Sequence, residues 1–410
     1  MPAHGTPHFP AFRRPTEQVR QLVQCGSRMY AVGTFRQVIG YSARQHKMVT
    51  FHRKNAFSFS ATRPFAVSSW TPGVNGEVNS IALGPGCNSA YLGGLFSRVH
   101  GRTARNIVRV NTKSGAVRTG FHRYANGTVE TLLRHGGRLL AGGFFTAING
   151  SHRRYYVSLN DVTGRDDGYL RLAIHGHYQF AGVAANRTRV YNQQLSHGGN
   201  RLLAEGDFTS VGGKHRQQIF MLTLGASRAR VTSWTSPEFN HNCWRKESFY
   251  VRDASWSPGD KTIYIATTGF HPAGGSIKGK RTGLCDAAAA FPAKLHPVAH
   301  RWRNFTGCDS LYSTVAGATT VYFGGHERWA DNRYGCDHRG PHAIKAPGMV
   351  GLSTSGAVTF NPGRSRGKGA DDMVLTGAGL WIASDNFDGS QSCAGRTGHA
   401  GICFLPYRGG

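Results

Sequence analysis

Apolar residues fall in short runs, each only a few residues long, separated by segments rich in Gly, Asn and charged residues. No run approaches the ~20 apolar residues that a membrane-crossing helix needs. One pattern recurs: a Gly-containing turn, a strand of apolar and small residues, then an aromatic. It reads Tyr30-Ala-Val-Gly-Thr-Phe35, Tyr91-Leu-Gly-Gly-Leu-Phe96, Leu140-Ala-Gly-Gly-Phe-Phe145 and Leu203-Ala-Glu-Gly-Asp-Phe208. Looser copies follow at Tyr264-Ile-Ala-Thr-Thr-Gly-Phe270, Tyr322-Phe-Gly-Gly-His-Glu327 and Trp381-Ile-Ala-Ser-Asp-Asn-Phe387. Their first residues are 61, 49, 63, 61, 58 and 59 apart. Around each copy the pattern predicts three further strands. One precedes the turn (78–83, 129–133, 372–375), a third follows the loop (107–110, 155–159, 219–222, 349–352), and a fourth ends the unit (66–70, 116–121, 231–234, 298–302, 357–360).

Four strands in about 60 residues, repeated seven times, predict an all-β chain folded as a seven-bladed β-propeller. The expected organisation is a single domain over 1–410, with blades at roughly 17–75, 76–126, 127–188, 189–248, 249–307, 308–368 and 369–410 plus 7–14. The last unit ends in its third strand, Ile402-Cys-Phe-Leu-Pro-Tyr407, so the N-terminal stretch His8-Phe-Pro-Ala-Phe12 is expected to complete it. Closing the ring in this way would remove an exposed sheet edge. The composition agrees: 39% hydrophobic residues and 23 Phe, 15 Tyr and 7 Trp exclude a disordered chain, and 55 Gly exclude a helical bundle.

Two stretches carry a resemblance. Glu205-Gly-Asp-Phe-Thr-Ser-Val-Gly-Gly213 and Gly143-Phe-Phe-Thr-Ala-Ile-Asn-Gly150 resemble the delta-60 repeat of bacterial β-propellers. The run Gly324-Gly-His-Glu-Arg-Trp329, Ala346-Pro-Gly-Met349, Gly369-Ala-Asp-Asp-Met373 and Gly398-His-Ala-Gly-Ile-Cys-Phe-Leu-Pro-Tyr407 is similar to secreted actinobacterial (Streptomyces-type) members. The resemblance implies a propeller fold and export, and it assigns no catalytic residue.

Eight cysteines, Cys25, Cys87, Cys243, Cys285, Cys308, Cys336, Cys393 and Cys403, show no zinc-type spacing and fit disulfides in an oxidising compartment. Sequence proximity favours Cys308–Cys336 and Cys393–Cys403 and leaves the other pairings open. The opening Met1-Pro-Ala-His-Gly5 lacks the basic and apolar regions of a leader, so a secreted protein with a trimmed leader is expected.

The charge changes the picture most. The chain holds 49 Lys+Arg against 21 Asp+Glu, a formal net charge of +28. The cations recur where each unit's second strand gives way to its third: Arg36, Arg44, His46 and Lys47; Arg98, His100, Arg102 and Arg105; His152, Arg153 and Arg154; Lys214, His215 and Arg216. The later units carry Lys278, Lys280 and Arg281; Arg339, His342 and Lys345; Arg396 and His399. Among the first 160 residues only Glu17, Glu77 and Glu130 are acidic. A face of this kind concentrates polyanions. The expected partners are therefore an anionic polysaccharide, teichoic acid or other cell-surface glycan, with protein partners in a secreted complex as a further expectation. Tyr41, Tyr155, Phe270, Trp329 and Tyr334 lie near the cations as candidate stacking surfaces. No nucleic-acid reading motif and no transmembrane segment is expected.

Catalysis would need convergent acid and base groups. The candidates are His326, Glu327 and Asp385, with Asp253, Asp309, Asp371 and Asp372 at or near the starts of inner strands. Such a cluster would serve a polysaccharide lyase or hydrolase, or hold a structural Ca²⁺. No GxSxG elbow, P-loop or dinucleotide fingerprint occurs. The reading expects no cofactor and favours a non-enzymatic, lectin-like binding module over an enzyme, with a protein-interaction platform as the third alternative.

Overall fold

The computed structural model describes residues 5–10, 17–177, 187–243, 249–269, 283–362, 369–386, 392–393 and 396–407. It is almost entirely β, with two short 3₁₀ turns among the described residues. The chain divides into two compact units, Met1–Leu170 with Asp371–Gly410, and Arg171–Ala370.

The first unit contains four antiparallel meander sheets. They are Gln18–Cys25, Arg28–Thr34 and Ala56–Ser60; Glu77–Leu83, Ser89–Leu95 and Ile107–Asn111; Thr128–His135, Arg138–Phe144 and Tyr156–Asn160; and Ala370–Thr376, Gly379–Ser384 and Ile402–Pro406. Single bridges, Phe59↔Val67, Val110↔Val117 and Leu159↔Asp166, mark a rudimentary fourth strand in the first three. The second unit contains three sheets with a full fourth strand. These are Arg189–Leu195, Arg201–Asp207, Ile219–Leu224 and Ala229–Val231; Tyr250–Trp256, Thr262–Thr268, Ala287–Pro292 and Trp302–Phe305; and Leu311–Ala316, Thr320–Gly325, Met349–Ser353 and Val358–Phe360. Two outer strands therefore sit off their expected places, at Ala229–Val231 rather than 231–234 and at Trp302–Phe305 rather than 298–302.

The reason lies in the tryptophans. Trp70, Trp234 and Trp302 do not stand as strand residues of one kind; each indole Nε1 donates to a carbonyl at or just beyond the third strand of the next sheet. The acceptors are Asn111 O at 3.0 Å, Pro292 O at 3.0 Å and Thr354 O at 2.8 Å. Each therefore joins two sheets with its one donor satisfied, Trp70 and Trp234 fully buried and Trp302 half-buried.

A second joint recurs where each loop meets its third strand. Asn55, Asn106, Tyr155, Gln218 and Asp286 hold the left-handed conformation there, with φ between 48° and 67°. Asn55 Nδ2 donates to Val74 O and Gly76 O, and Asn106 Nδ2 to Ala125 O and Gly127 O. Gln218 donates to Phe249 O and accepts from Val251 N. Each side chain thus reaches the segment leading into the next sheet. Asn tolerates this backbone better than other non-Gly residues, which explains its choice at the first two positions.

Within the first unit the chain ends meet. His8 exchanges both backbone bonds with Ile39, at 2.9 and 2.8 Å, and Phe9 N donates to Ala400 O at 2.9 Å. Glu17 N donates to Asn386 Oδ1, and Leu22 N to Asp372 Oδ2. Among the described residues, the N-terminal segment bridges Gly401 and Ile39 rather than running along Ile402–Pro406 as an outer strand. Phe12 of the expected closing strand lies outside the described residues.

All eight cysteines pair: Cys25–Cys87, Cys243–Cys285, Cys308–Cys336 and Cys393–Cys403. Both pairings favoured by proximity are present. Four disulfides place the protein outside the reducing cytoplasm. No helix among the described residues is long and apolar enough to cross a membrane.

Candidate functional site

The expected cationic positions lie between second and third strands, and the structure sorts them. Arg44 and Lys47 are exposed on the hairpin formed by Gln37–Ser42 and Lys47–His52 or its turn, and Arg98, Arg102 and Arg105 are exposed in the next sheet's loop. Arg154, Lys214, Arg339 and Lys345 are exposed as well, with Arg339 Nε donating to Ala343 O. Arg153 is different: its guanidinium is bonded to Asp166 at 2.6 Å. Arg216 is buried and donates to His215 O and Thr232 O, so it holds the loop and offers nothing to solvent. Lys278, Lys280 and Arg281, and the side chain of Arg396, lie outside the described residues.

In the first unit, Arg98, Arg102 and Arg105 pair with no carboxylate among the described residues. Beside Arg105 stands Tyr124, 47% exposed, with the guanidinium 5.7 Å from its ring centre. Arg123 reaches back to Thr103 O from the same side. An exposed aromatic face beside an unneutralised arginine suits an acidic sugar or another planar anion. Sequence reading passed over Tyr124 because it lies at the end of the 76–126 unit, past its expected fourth strand and outside the loop that holds the arginines.

The acid candidates belong to different units. His326 and Glu327 belong to the second unit and Asp385 to the first. Both ring nitrogens of His326 are engaged: Nε2 accepts from Ser310 N at 3.2 Å and Nδ1 meets the Tyr312 hydroxyl at 2.9 Å. Accepting at Nε2 fixes the tautomer with its proton on Nδ1. Glu327 and Asp385 are fully buried. Arg328 turns from Glu327 to Asp309, in a two-bonded pair at 2.8 and 3.0 Å, and to Asp337. Asp253 accepts from Asn192, Gln194, Ala254 N and Thr314 N, stitching three inner strands together. Asp372, whose carboxyl burial pushes up to about 6, performs the same task for Leu22 N. Asp253 and Asp372 hold neighbouring sheets together, and Asp309 holds Arg328. No group of three or more His, Cys, Asp or Glu among the described residues is placed to hold a metal ion.

One buried acid stands apart. Glu205 pairs in register with Asn192, a position where the other repeats place Val32, Gly93, Gly142, Ala266 and Gly324. It is fully buried, and among the described residues no donor other than its own backbone N–H serves its carboxyl. Burial, reinforced by the Asp253 charge, pushes its carboxyl well above the usual range. A group protonated in the folded state and ionised in the unfolded one lowers stability as pH rises above about 4.5. Replacing Glu205 with Gln should remove that slope. The advantage of Glu205→Gln over wild type should grow by ~1.4 kcal/mol per pH unit until the folded carboxyl ionises. Urea unfolding of both proteins at pH 5 and pH 8 measures this, and an equal difference at the two values would refute it.

No protein-family model matches the chain, and no curated protein does. Solved structures do. The chain is similar to the structure of U3-55K, at 9% identity over 99% of this chain and 100% of that one, with a TM-score of 0.53. It is also similar to the WD40 repeats of RRP9, at 9% identity over 99% and 98%, with a TM-score of 0.52. At this identity the likeness speaks to the fold alone: an all-β chain with β-propeller neighbours.

Proposed function

We propose that the protein is a secreted, non-enzymatic binding module whose basic loops engage an anionic cell-surface polymer, such as teichoic acid or an acidic polysaccharide. On this reading its sheets are the blades of one seven-bladed propeller of the delta-60 kind, and it acts as a lectin-like subunit of a secreted assembly. The observation that carries the proposal is the exposed Tyr124 with the Arg105 guanidinium against its ring, reached from a loop whose Arg98 and Arg102 are also exposed and, like Arg105, pair with no carboxylate among the described residues. A net charge of +28 supplies the long-range attraction, and several loops of similar character would add weak contacts into useful avidity.

Sedimentation of the protein with intact bacterial cell walls, stripped or not of anionic polymers, tests this across a salt series. Binding should fall with stripping and fall linearly in log–log form with salt. Each cation contact should contribute about 0.7–0.9 to the slope if the polymer behaves like a nucleic-acid strand. Reversing Arg98, Arg102 and Arg105 to Glu should cost at least tenfold in affinity and flatten the slope by about two. Arg228→Glu with Arg230→Glu, exposed residues near an outer strand, should leave both unchanged. Binding indifferent to salt and stripping would sink the proposal.

A further inference from the structure

The first strands of the second unit's three sheets share one irregularity. Their pairing with the second strand skips a residue between Val190 and Asn192, between Val251 and Asp253, and between Leu311 and Ser313. The skipped residues are Tyr191, Arg252 and Tyr312, side by side on adjacent strands. A bulge re-aims the side chain of the extra residue. Here it turns Arg252 outward while Val251 and Asp253 on either side are buried.

The Arg252 guanidinium carbon lies 5.8 Å from the Tyr191 ring centre and 5.4 Å from that of Tyr312. No ion pair or hydrogen bond among the described residues uses its donors. The flanking rings are fixed: the Tyr191 hydroxyl donates to Val251 O, and that of Tyr312 is held by His326, itself anchored on Ser310 N. The neighbouring carboxylate of Asp253 is turned into the strands and bonded there, so it does not neutralise the cation.

We propose that Arg252 anchors a second anion site, separate from the basic loops, which takes the planar carboxylate of an acidic sugar. The guanidinium fork matches a carboxylate with two parallel bonds, and the tyrosine rings wall the position on both sides. Rings held in place before binding lose little freedom when the ligand arrives. Arg252 is exposed like many of the loop cations, but it stands against two rings whose hydroxyls are already held.

The test is calorimetric titration of the full chain with sodium glucuronate, glucose serving as the neutral control and inorganic phosphate as the non-planar anion. Glucuronate should bind in preference to both. Arg252→Gln should weaken it at least tenfold, and Arg252→Lys, which keeps the charge and loses the fork, should weaken it nearly as much. In the Glu-reversed Arg98, Arg102 and Arg105 background, Arg252→Gln should still weaken glucuronate binding at least tenfold, which separates this site from the loop face. Since Arg252 is exposed and makes no hydrogen bond, matching melting curves will show that its variants fold. Wild type that ignores glucuronate, binds phosphate as tightly, or is matched by Arg252→Gln or Arg252→Lys would overturn the assignment.

Discussion

Replacing Trp381 with Ala should cost the first unit about 3–5 kcal/mol of stability. Trp381 is 1% exposed and lies at the centre of an aromatic cluster drawn from both ends of the chain. Its ring stacks on Phe404, its register partner, at 4.3 Å between centres. It also meets Phe59 and Phe65 at 5.6 Å each. Phe59 belongs to the sheet that begins at Gln18, whereas Trp381 and Phe404 belong to the sheet that begins at Ala370. The cavity would therefore open at the join between the first and last sheets, where no local strand pairing can close over it. Trp381→Phe keeps a ring against Phe404 and should lose about half as much. Urea unfolding of the two variants measures the difference. A loss under ~1 kcal/mol for Trp381→Ala would show that the join is held by backbone bridges such as Gln18↔Asp385 instead.

This join illustrates what the sequence discloses and what it withholds. The motif strands were legible because their small residues, such as Gly33, Gly94 and Gly143, are demanded by geometry. A Cβ at any of these would stand about 2 Å from a backbone oxygen of the first strand, Gln18 O, Glu77 O or Thr128 O. The placing of the cations between second and third strands was legible for the same reason, since the turns and strands bounding those loops have strong local signals. Which cations face solvent was not. Lys214 and His215 are exposed and Arg216 is buried, because the chain leaves the hairpin there and alternation no longer holds. Pairing across distance was equally hidden. Asp253 and Asp372 read as loose acids at strand starts, yet their acceptors serve strands about 60 and 350 residues away. Asn55 and Asn106 carried a signal that could have been used, as residues suited to the left-handed backbone just ahead of a strand.

Removing the Cys25–Cys87 bridge should have an effect as large as that of the Trp381 cavity. Cys25 closes the first strand of the sheet that begins at Gln18, and Cys87 sits in the 3₁₀ turn of the sheet that begins at Glu77. The bridge therefore ties two successive sheets across a sequence separation of 62. Closing a loop of that length removes enough freedom from the unfolded chain to be worth about 4 kcal/mol at 25 °C. The Cys393–Cys403 bridge spans only 10 residues, from the short ladder of Ser392–Cys393 with Arg396–Thr397 to the strand Ile402–Pro406, so the same reasoning gives it roughly 3 kcal/mol. The double variant Cys25→Ser, Cys87→Ser avoids leaving a lone thiol and should lower the urea midpoint more than Cys393→Ser, Cys403→Ser does. If loop length governs the effect, the order will hold when both are compared under identical conditions. The reverse order would mean that what Cys393 and Cys403 hold in the folded state, beside Phe404 and the N-terminal segment, outweighs the freedom lost by the unfolded chain.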